Sequence, residues 1–353
     1  VCPPAPRSVG RFQSQAYQLD RSKLLWAMAD PSSLQPFPGA RIFHFLETTS
    51  TMDEARILST AGAARGSLVV ADSQKAGRGR LPGRAWSGKP GSSLLCTIIL
   101  DAADGSVPGF PLRVGLALLK TMTTLVPRAR GRLSLKWPND LLVMPPPRLH
   151  RPDEADAADA MECAPPPRKL AGILCEGSGG RVLAGIGLNL LSQAWPSDCK
   201  IPPVSLEEAF YPGAPSEVAG RDEVLAELLR RLASVLRDPN ALSEVEENLH
   251  GLGSRVRFVP GLPGSDPIEA SLEGLAPSGA LKLRLDDGTI VEHASGELAI
   301  EKTPSTDDAS RGGARQGPSL GIGTRWGRSS DPDHASRIAV DAVPGPDASR
   351  TGD

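Results

Sequence analysis

The stretch KLAGILCEGSGGRVLAGIGLN, residues 169–189, reads as two strands and a turn. Leu170–Glu176 and Val182–Leu190 are short apolar runs, and Gly177-Ser178-Gly179-Gly180 between them is a hairpin-type connection. Working upstream, Leu133–Trp137 is a strand that stops at Pro138, and Leu94–Leu100 is a continuous apolar run, the signature of a strand buried on both faces. Leu68–Ala71 and Arg41–Leu46 add two more strands. Thr51-Met52-Asp53-Glu54 has the T-x-x-E capping spacing and opens a helix through Ala61. Leu112, Leu116, Leu119 and Leu125 mark a second helix, between Pro111 and Pro127. Downstream, Val224, Leu225, Leu228, Leu232 and Val235 form the apolar face of a helix over Glu223–Arg237. After Gly251 the texture changes to short strands at 255–259, 268–275, 280–285, 289–293 and 297–300, with a tight-turn signal at Asp287-Gly288. That pattern suggests a small β-barrel-like module, packed against the larger domain as much as on its own core.

The 353-residue chain is 40% hydrophobic and 23% charged, an ordinary globular mixture that excludes a coiled coil or a wholly disordered chain. A net charge of −2 gives no global field toward nucleic acid or anionic lipid. No apolar run approaches the ~20 residues of a membrane span. The opening Val1-Cys2-Pro3-Pro4 lacks the basic and apolar regions of a signal peptide. Cys2, Cys96, Cys163, Cys175 and Cys199 are odd in number and contain no CxxC pair, which fits a reducing cytoplasm. Residues 1–40 read as a partly ordered segment with one helix over Gln18–Ala29. Two segments fail as core: the 144–168 insertion, with Pro-Pro-Pro runs around an acidic middle, and the Gly/Ser/Asp/Pro-rich tail, 303–353. Both read as disordered.

Four motifs carry chemistry. Gln74-Lys75-Ala76-Gly77-Arg78-Gly79-Arg80-Leu81-Pro82-Gly83-Arg84-Ala85-Trp86 interleaves glycines, which permit close backbone approach, with guanidinium forks and an aromatic face. It is either a phosphate- or carboxylate-reading loop or a solvated basic one. Lys136-Trp137-Pro138-Asn139-Asp140 ends a strand with two hard oxygen donors suited to Mg²⁺, or is an Asn-Asp turn. Lys169 leads into an apolar strand, as a counter-charge for an anion or as a snorkelling edge lysine. Gly185-Ile186-Gly187-Leu188-Asn189 alternates glycines in a strand, for close approach of a ligand or for a bulge.

In this order and spacing the motifs resemble the biotin protein ligase family, from about Phe43 to Ile300. The resemblance implies an α+β fold: a mixed β-sheet catalytic domain with packed helices (41–250), then an SH3-like C-terminal domain (251–302). It implies that ATP and biotin give biotinyl-5′-AMP and pyrophosphate, and that a lysine of a biotin carboxyl carrier protein then attacks the mixed anhydride. Ser50, Thr51 and Gln74 would bind the ureido end of biotin, Gly77 and Arg78 would close over it, and Gly172 and Gly187 would line its pocket. Arg80 and Arg84 would hold phosphates and Trp86 would stack on adenine. Asn139 and Asp140 would position ATP, Asp140 and Asn189 would hold Mg²⁺, and Asn189 would also contact the nucleotide. Lys169 would bridge the biotin carboxylate and the α-phosphate. Lys169 and Arg80 are the catalytic pair in this reading.

The chain departs from the family pattern in three ways. Met52 stands where Asn usually follows Ser-Thr. Leu81-Pro82 lengthens the basic loop ahead of Arg84. The Pro-rich insertion separates two motifs that the family joins by a short turn. The expected protein is a monofunctional cytoplasmic ligase, monomeric or weakly dimeric, without nucleic-acid or membrane partners. The rivals are a lipoate or octanoate ligase of the same fold, a biotin-responsive repressor carrying an upstream winged helix, and a non-catalytic biotin sensor.

Overall fold

The computed structural model describes residues 36–300, apart from 82, 84, 87, 147–164, 198 and 262–263. The expected helix at Gln18–Ala29, most of the 144–168 insertion and the 303–353 tail lie outside the described residues.

A seven-stranded sheet carries the larger part of the chain. Its strands are β1 (Ile42–Thr48), β2 (Leu68–Gln74), β5 (Ser93–Asp101), β6 (Leu133–Lys136), β7 (Asp140–Val143), β8 (Arg168–Ser178) and β9 (Arg181–Asn189). The order is β1-β2-β5-β9-β8-β7-β6, with β1 parallel to β2 and the other pairs antiparallel. The sheet is therefore mixed, and β8–β9 is the hairpin read from the sequence. Gly179 and Gly180 turn it with φ of 52° and 78°, a left-handed pair that glycine adopts without penalty.

Strand alternation gives the two faces different work. On one, Leu68, Val70, Leu94, Cys96, Ile98, Ala184, Ile186, Ala171 and Ile173 form the main core. Two helices, α3 (Phe110–Leu125) and α5 (Arg221–Val235), cover it. Arg113 is buried inside this layer, where its guanidinium donates to the carbonyls of Pro108 (2.9 Å), Val235 (2.9 Å) and Asp238 (2.7 Å). It thereby satisfies carbonyls at the end of α5 that have no helical partner. On the other face α1 (Thr51–Thr60) presses Met52 and Ala55 onto Val69, Ile99 and Leu183. Beyond α1 this face is left to the site.

The short elements escaped the sequence reading. They are β3 (Gly77–Arg78), β4 (Ala85–Trp86), β7, α2 (Ala102–Gly105), α4 (Leu206–Phe210) and α6 (Ala241–Glu247). The capping expectation also needs correction. Ser50, not Thr51, caps α1: Ser50 Oγ accepts from Met52 N at 3.3 Å, while the Glu54 carboxylate accepts the Thr48 hydroxyl at 2.8 Å. The alternation of Gly185 and Gly187 is no bulge, because β5 and β9 stay in register from Ser93↔Asn189 to Asp101↔Arg181.

After α6 the chain forms an all-antiparallel set of short strands: β10 (Arg255–Pro260), β11 (Ile268–Leu275), β12 (Leu281–Arg284), β13 (Ile290–His293) and β14 (Gly296–Ile300), in the order β13-β12-β11-β10-β14. It docks on the sheet through Trp137 and Phe258, whose ring centroids lie 5.9 Å apart. The segment before it runs beside β6, with Leu135 N donating to Asn248 O and His250 N donating to Leu135 O, both at 2.8 Å. Among the described residues no helix is long and apolar enough to cross a membrane.

A half-buried ionic cluster under the N-terminus of α5 should make stability depend on pH. Asp72 accepts from His44 Nε2 at 2.8 Å and pairs with Arg221. Burial works to raise the Asp72 carboxyl, but the hydrogen bonds from Arg221 and His44 outweigh it and hold the group below the ordinary carboxylate range. A depressed folded-state value stabilises the protein above the ordinary carboxylate range and is lost as pH falls through it. The melting temperature of Asp72→Asn should therefore lie below the parent's at pH 7 and converge with it toward pH 3. A gap that persists unchanged in acid would show that the pair contributes nothing through its charge.

Candidate active site

One transverse row organises the site. Leu95 pairs with Gly187, Gly187 with Gly172, Gly172 with Asp140, and Asp140 with Lys136. Paired residues share a face, so five side-chain positions line up across β5-β9-β8-β7-β6. Two glycines in the middle make a shelf, and charge gathers at one end.

Lys169 reaches this face through a β-bulge. Between Leu141↔Ala171 and Leu142↔Lys169 the β7–β8 register shifts by one residue. The extra residue, Leu170, turns into the core, where it is fully buried. Lys169 is thereby re-aimed, as bulges next to sites do. Its ammonium stops 2.6 Å from Asp140 Oδ1 and 5.7 Å from the centroid of the Trp86 indole. A lysine at the start of an apolar strand is thus held as a fixed charge.

The Trp86 ring lies on the glycine shelf. An added Cβ on Gly187 would come within 2.4 Å of Trp86 Cε2, and one on Gly172 within 3.0 Å of Cζ3. Trp86 itself is half-buried. Its backbone pairs with Gly77 in the two-residue β3–β4 ladder, which closes the basic loop on itself.

At the other end of the cleft the polar residues expected for a ureido group do meet. Gln74 Oε1 accepts from Thr51 N (2.7 Å) and Thr51 Oγ1 (3.1 Å), and Thr97 Oγ1 donates to Thr51 Oγ1 at 2.9 Å. Ser50 is buried beside them as the helix cap. Met52, at the position that departs from the family pattern, is core: its sulfur would lie 2.9 Å from a Cβ on Gly185. That contact leaves no room for a side chain at Gly185 unless Met52 shifts.

The arginines are spread out. Arg78 donates both Nη atoms to the Asp53 carboxylate at 2.8 Å, outside the shelf. The Arg78 guanidinium holds the Asp53 carboxyl below the ordinary range, with Arg56 adding, against a smaller cost of desolvation. Arg80 Nη2 donates to the carbonyl of Gly296 at 2.6 Å and so ties the loop to β14. Arg84 lies outside the described residues. Asn139 Nδ2 donates to Ile173 O at 2.8 Å, locking the turn after β6 onto β8.

Asn189 Nδ2 donates to Val204 O at 3.2 Å. It sits two strands and two residues from Asp140 in the register, about 12 Å between Cα atoms for ideal sheet spacings. Asp140 alone fits the usual pattern of one carboxylate completed by phosphate and water oxygens. No cluster of three His, Cys, Asp or Glu side chains suited to a metal occurs among the described residues.

Residues that the sequence reading passed over also belong here. Lys136 ends the row. Its ammonium is pushed down mainly by burial, with Lys169 and Arg80 adding to this, while Asp140 and Glu297 pull it up. Thr97 contacts Thr51, and Asp53 contacts Arg78, two of the expected site residues. Only the strand register reveals the first two, since nothing in a single strand marks them as site residues.

Residues 42–191 match the model of the "Biotin/lipoate A/B protein ligase family". Among curated proteins the chain is similar to a biotin–[acetyl-CoA-carboxylase] ligase of Mycobacterium tuberculosis, 28% identical over 257 residues, covering 70% of this chain and 85% of that one. A bifunctional ligase/repressor BirA of Bacillus spizizenii is 29% identical over 168 residues, which cover 46% of this chain and 44% of that protein. Among solved structures, the biotin protein ligase from Aquifex aeolicus in complex with biotin and ATP superposes with a TM-score of 0.58 at 24% identity, over 74% of this chain and 99% of that one. This last likeness is one of fold.

Proposed function

We propose that the protein is a biotin–carboxyl-carrier-protein ligase: it activates biotin with ATP as biotinyl-5′-AMP and transfers the acyl group to a carrier lysine. The observation that carries this is the bulge-directed Lys169, set beside Asp140 on a glycine-floored cleft within the segment that matches this ligase family. Activation brings a carboxylate against an α-phosphate, two negative groups. A fixed ammonium between them offsets the repulsion and stabilises the charge that develops at transfer. The Thr51–Gln74–Thr97 cluster, buried and rich in hydroxyl and amide groups, suits a cyclic urea. Mg²⁺ held by Asp140 would supply further charge neutralisation to the phosphates. The paired β3–β4 loop would keep water from the adenylate. In this reading Asn189 serves the nucleotide and Asp140 serves the metal. The partner is a carrier protein of acetyl-CoA carboxylase or a related biotin-dependent carboxylase.

The test is isotope exchange between pyrophosphate and ATP. Exchange should require biotin, and lipoate should not replace it. Exchange with lipoate at comparable efficiency would reassign the protein to the lipoate branch, and none with either acid would leave a binding protein.

The insertion should be dispensable for chemistry. Val143 and Arg168 are ladder partners, so the two ends of the excursion already meet. Loop-closure entropy changes by only about 0.6 kcal/mol per doubling of length. Replacing 147–164 by a short Gly-containing turn should leave the exchange rate within a few-fold of the parent. A folded variant, verified by circular dichroism, that has lost exchange would place the insertion in the active site.

A further inference from the structure

We propose that Glu208 is a positioning residue for Lys169, acting through the segment 202–204 that it clamps. This rests on the adenylating reading above and adds a residue to its machinery. The β8–β9 ladder runs from Ser178↔Arg181 to Ala171↔Leu188, so Lys169 lies beyond its end. Residues 202–204 take the place that β9 vacates. Lys169 N donates to Pro202 O at 2.8 Å, Lys169 O accepts from Val204 N at 2.9 Å, and Lys169 pairs with Pro203 as an isolated parallel bridge. Asn189 Nδ2, at the end of β9, donates to Val204 O at 3.2 Å. With Leu142 of β7 on its other side, the backbone that carries Lys169 is held between a strand and a three-residue segment. Two backbone hydrogen bonds contribute too little, net, to offset the entropy of ordering such a segment. Its position needs an anchor.

Glu208 supplies it. Its carboxylate accepts from Ser205 N (2.8 Å), Ser205 Oγ (3.1 Å), Trp195 Nε1 (3.0 Å to Oε1) and Ser192 Oγ (3.3 Å). Capping α4 uses only the Ser205 contacts. The other two reach back to where the chain has just left β9, so one carboxylate gathers both ends of the 192–205 excursion. Arg168, the residue before Lys169, stands 3.9 Å from Glu208 Oε2 and donates Nη2 to Pro203 O at 2.7 Å, which ties the strand of Lys169 to the same point. Burial works to raise the Glu208 carboxyl, but the hydrogen bonds from Trp195 and Ser205 outweigh it and hold the group below the ordinary carboxylate range. It is therefore charged at neutral pH, and hydrogen bonds to a charged acceptor are the strong ones.

Glu208→Gln separates capping from clamping. Glutamine still serves a capping box through its one oxygen, but its amide sets a donor against the donors of Trp195 and Ser192. The melting temperature should stay within about 3 °C of the parent's. Single-turnover adenylate formation at saturating ATP and biotin should fall about ten-fold or more, because a small misplacement of a reacting group can cost up to about 10²-fold. Trp195→Phe keeps the ring, removes the N–H, and should act in the same direction but less. In a Lys169→Ala background Glu208→Gln should add almost nothing, since groups that act through one another are non-additive, whereas a merely structural role would give full additivity. A folded Glu208→Gln with adenylate formation within two-fold of the parent, or full additivity with Lys169→Ala, would overturn the proposal. If Glu208→Gln does not fold, the same cycle run with Trp195→Phe decides. A parent protein without biotin-dependent exchange would defeat the adenylating reading itself; an active parent with an additive cycle would defeat only this inference.

Discussion

Lys169→Ala should lower adenylate formation by about 10²–10³-fold in a single-turnover measurement, the loss expected when one pre-positioned charge-stabilising donor is removed. Two features of the geometry are the reason to expect so large an effect at Lys169. It is held rigidly, because the bulge fixes its backbone and Asp140 Oδ1 fixes its ammonium at 2.6 Å. It is also the only cation among the described residues that both borders the glycine shelf and ion-pairs within it. Arg78 is engaged with Asp53, and Arg80 with the Gly296 carbonyl. Lys169→Arg should recover little of the loss. The guanidinium is a planar fork, and the space between Asp140 and the Trp86 ring suits a compact ammonium. Adenylate formation within five-fold of the parent in Lys169→Ala would remove this residue from the mechanism.

The elements legible in the sequence share a physical trait: each buries a long, regular apolar pattern. β5 and the β8–β9 hairpin are continuous apolar runs, and α5 shows its stripe, so their patterns and their places in the core agree. The elements that escaped are short or carry too few apolar residues for a period to show. β3 and β4 are two residues each and are held by the pairing of Gly77 with Trp86. α4 did leave a signal. Ser205 and Glu208 form a capping box, with Ser205 Oγ accepting from Glu208 N at 3.1 Å and Glu208 accepting from Ser205 N at 2.8 Å. Its S-x-x-E spacing stood in the sequence, but only five helical residues follow it.

The site divides in the same way. Motifs give residue types, so Thr51, Gln74, Asp140 and Lys169 are legible in the sequence without their contacts. Pairwise geometry was not accessible, because it depends on strand register. The row from Gly187 to Lys136 crosses two strand pairs, β8–β9 and β6–β7, which the insertion separates in the chain. The bulge at Leu170 is invisible to alternation, since leucine suits either face of a strand that begins Lys-Leu-Ala-Gly. The diversion of Arg78 to Asp53 required knowing that α1 starts beside the loop.

The same geometry makes Gly77 the most sensitive position of the loop. A Cβ there would meet the Trp86 carbonyl oxygen at 2.3 Å and Gln74 Nε2 at 2.8 Å. The first atom is backbone and is the ladder partner of Gly77, so it yields only if the β3–β4 pairing opens. The second belongs to the side chain whose Oε1 holds Thr51 N and Thr51 Oγ1. One methyl group thus disturbs the roof over the cleft and the polar cluster at its end together. Overpacking of this kind costs about 1–3 kcal/mol, which corresponds to roughly 5- to 150-fold in affinity. Gly77→Ala should therefore raise the biotin KM by an amount in that range. Global stability should fall by no more than the two-residue β3–β4 ladder contributes, because opening that ladder relieves the contact and none of its residues belongs to the main core. Gly177→Ala is the matched control: its Cβ would meet nothing within 4 Å, so both KM values should stay at the parent's. The measurement is biotin-dependent pyrophosphate exchange beside a thermal melt. A biotin KM within two-fold of the parent in Gly77→Ala would mean that the β3–β4 pairing is not what holds biotin, and that Gln74 and Thr51 keep their geometry without it.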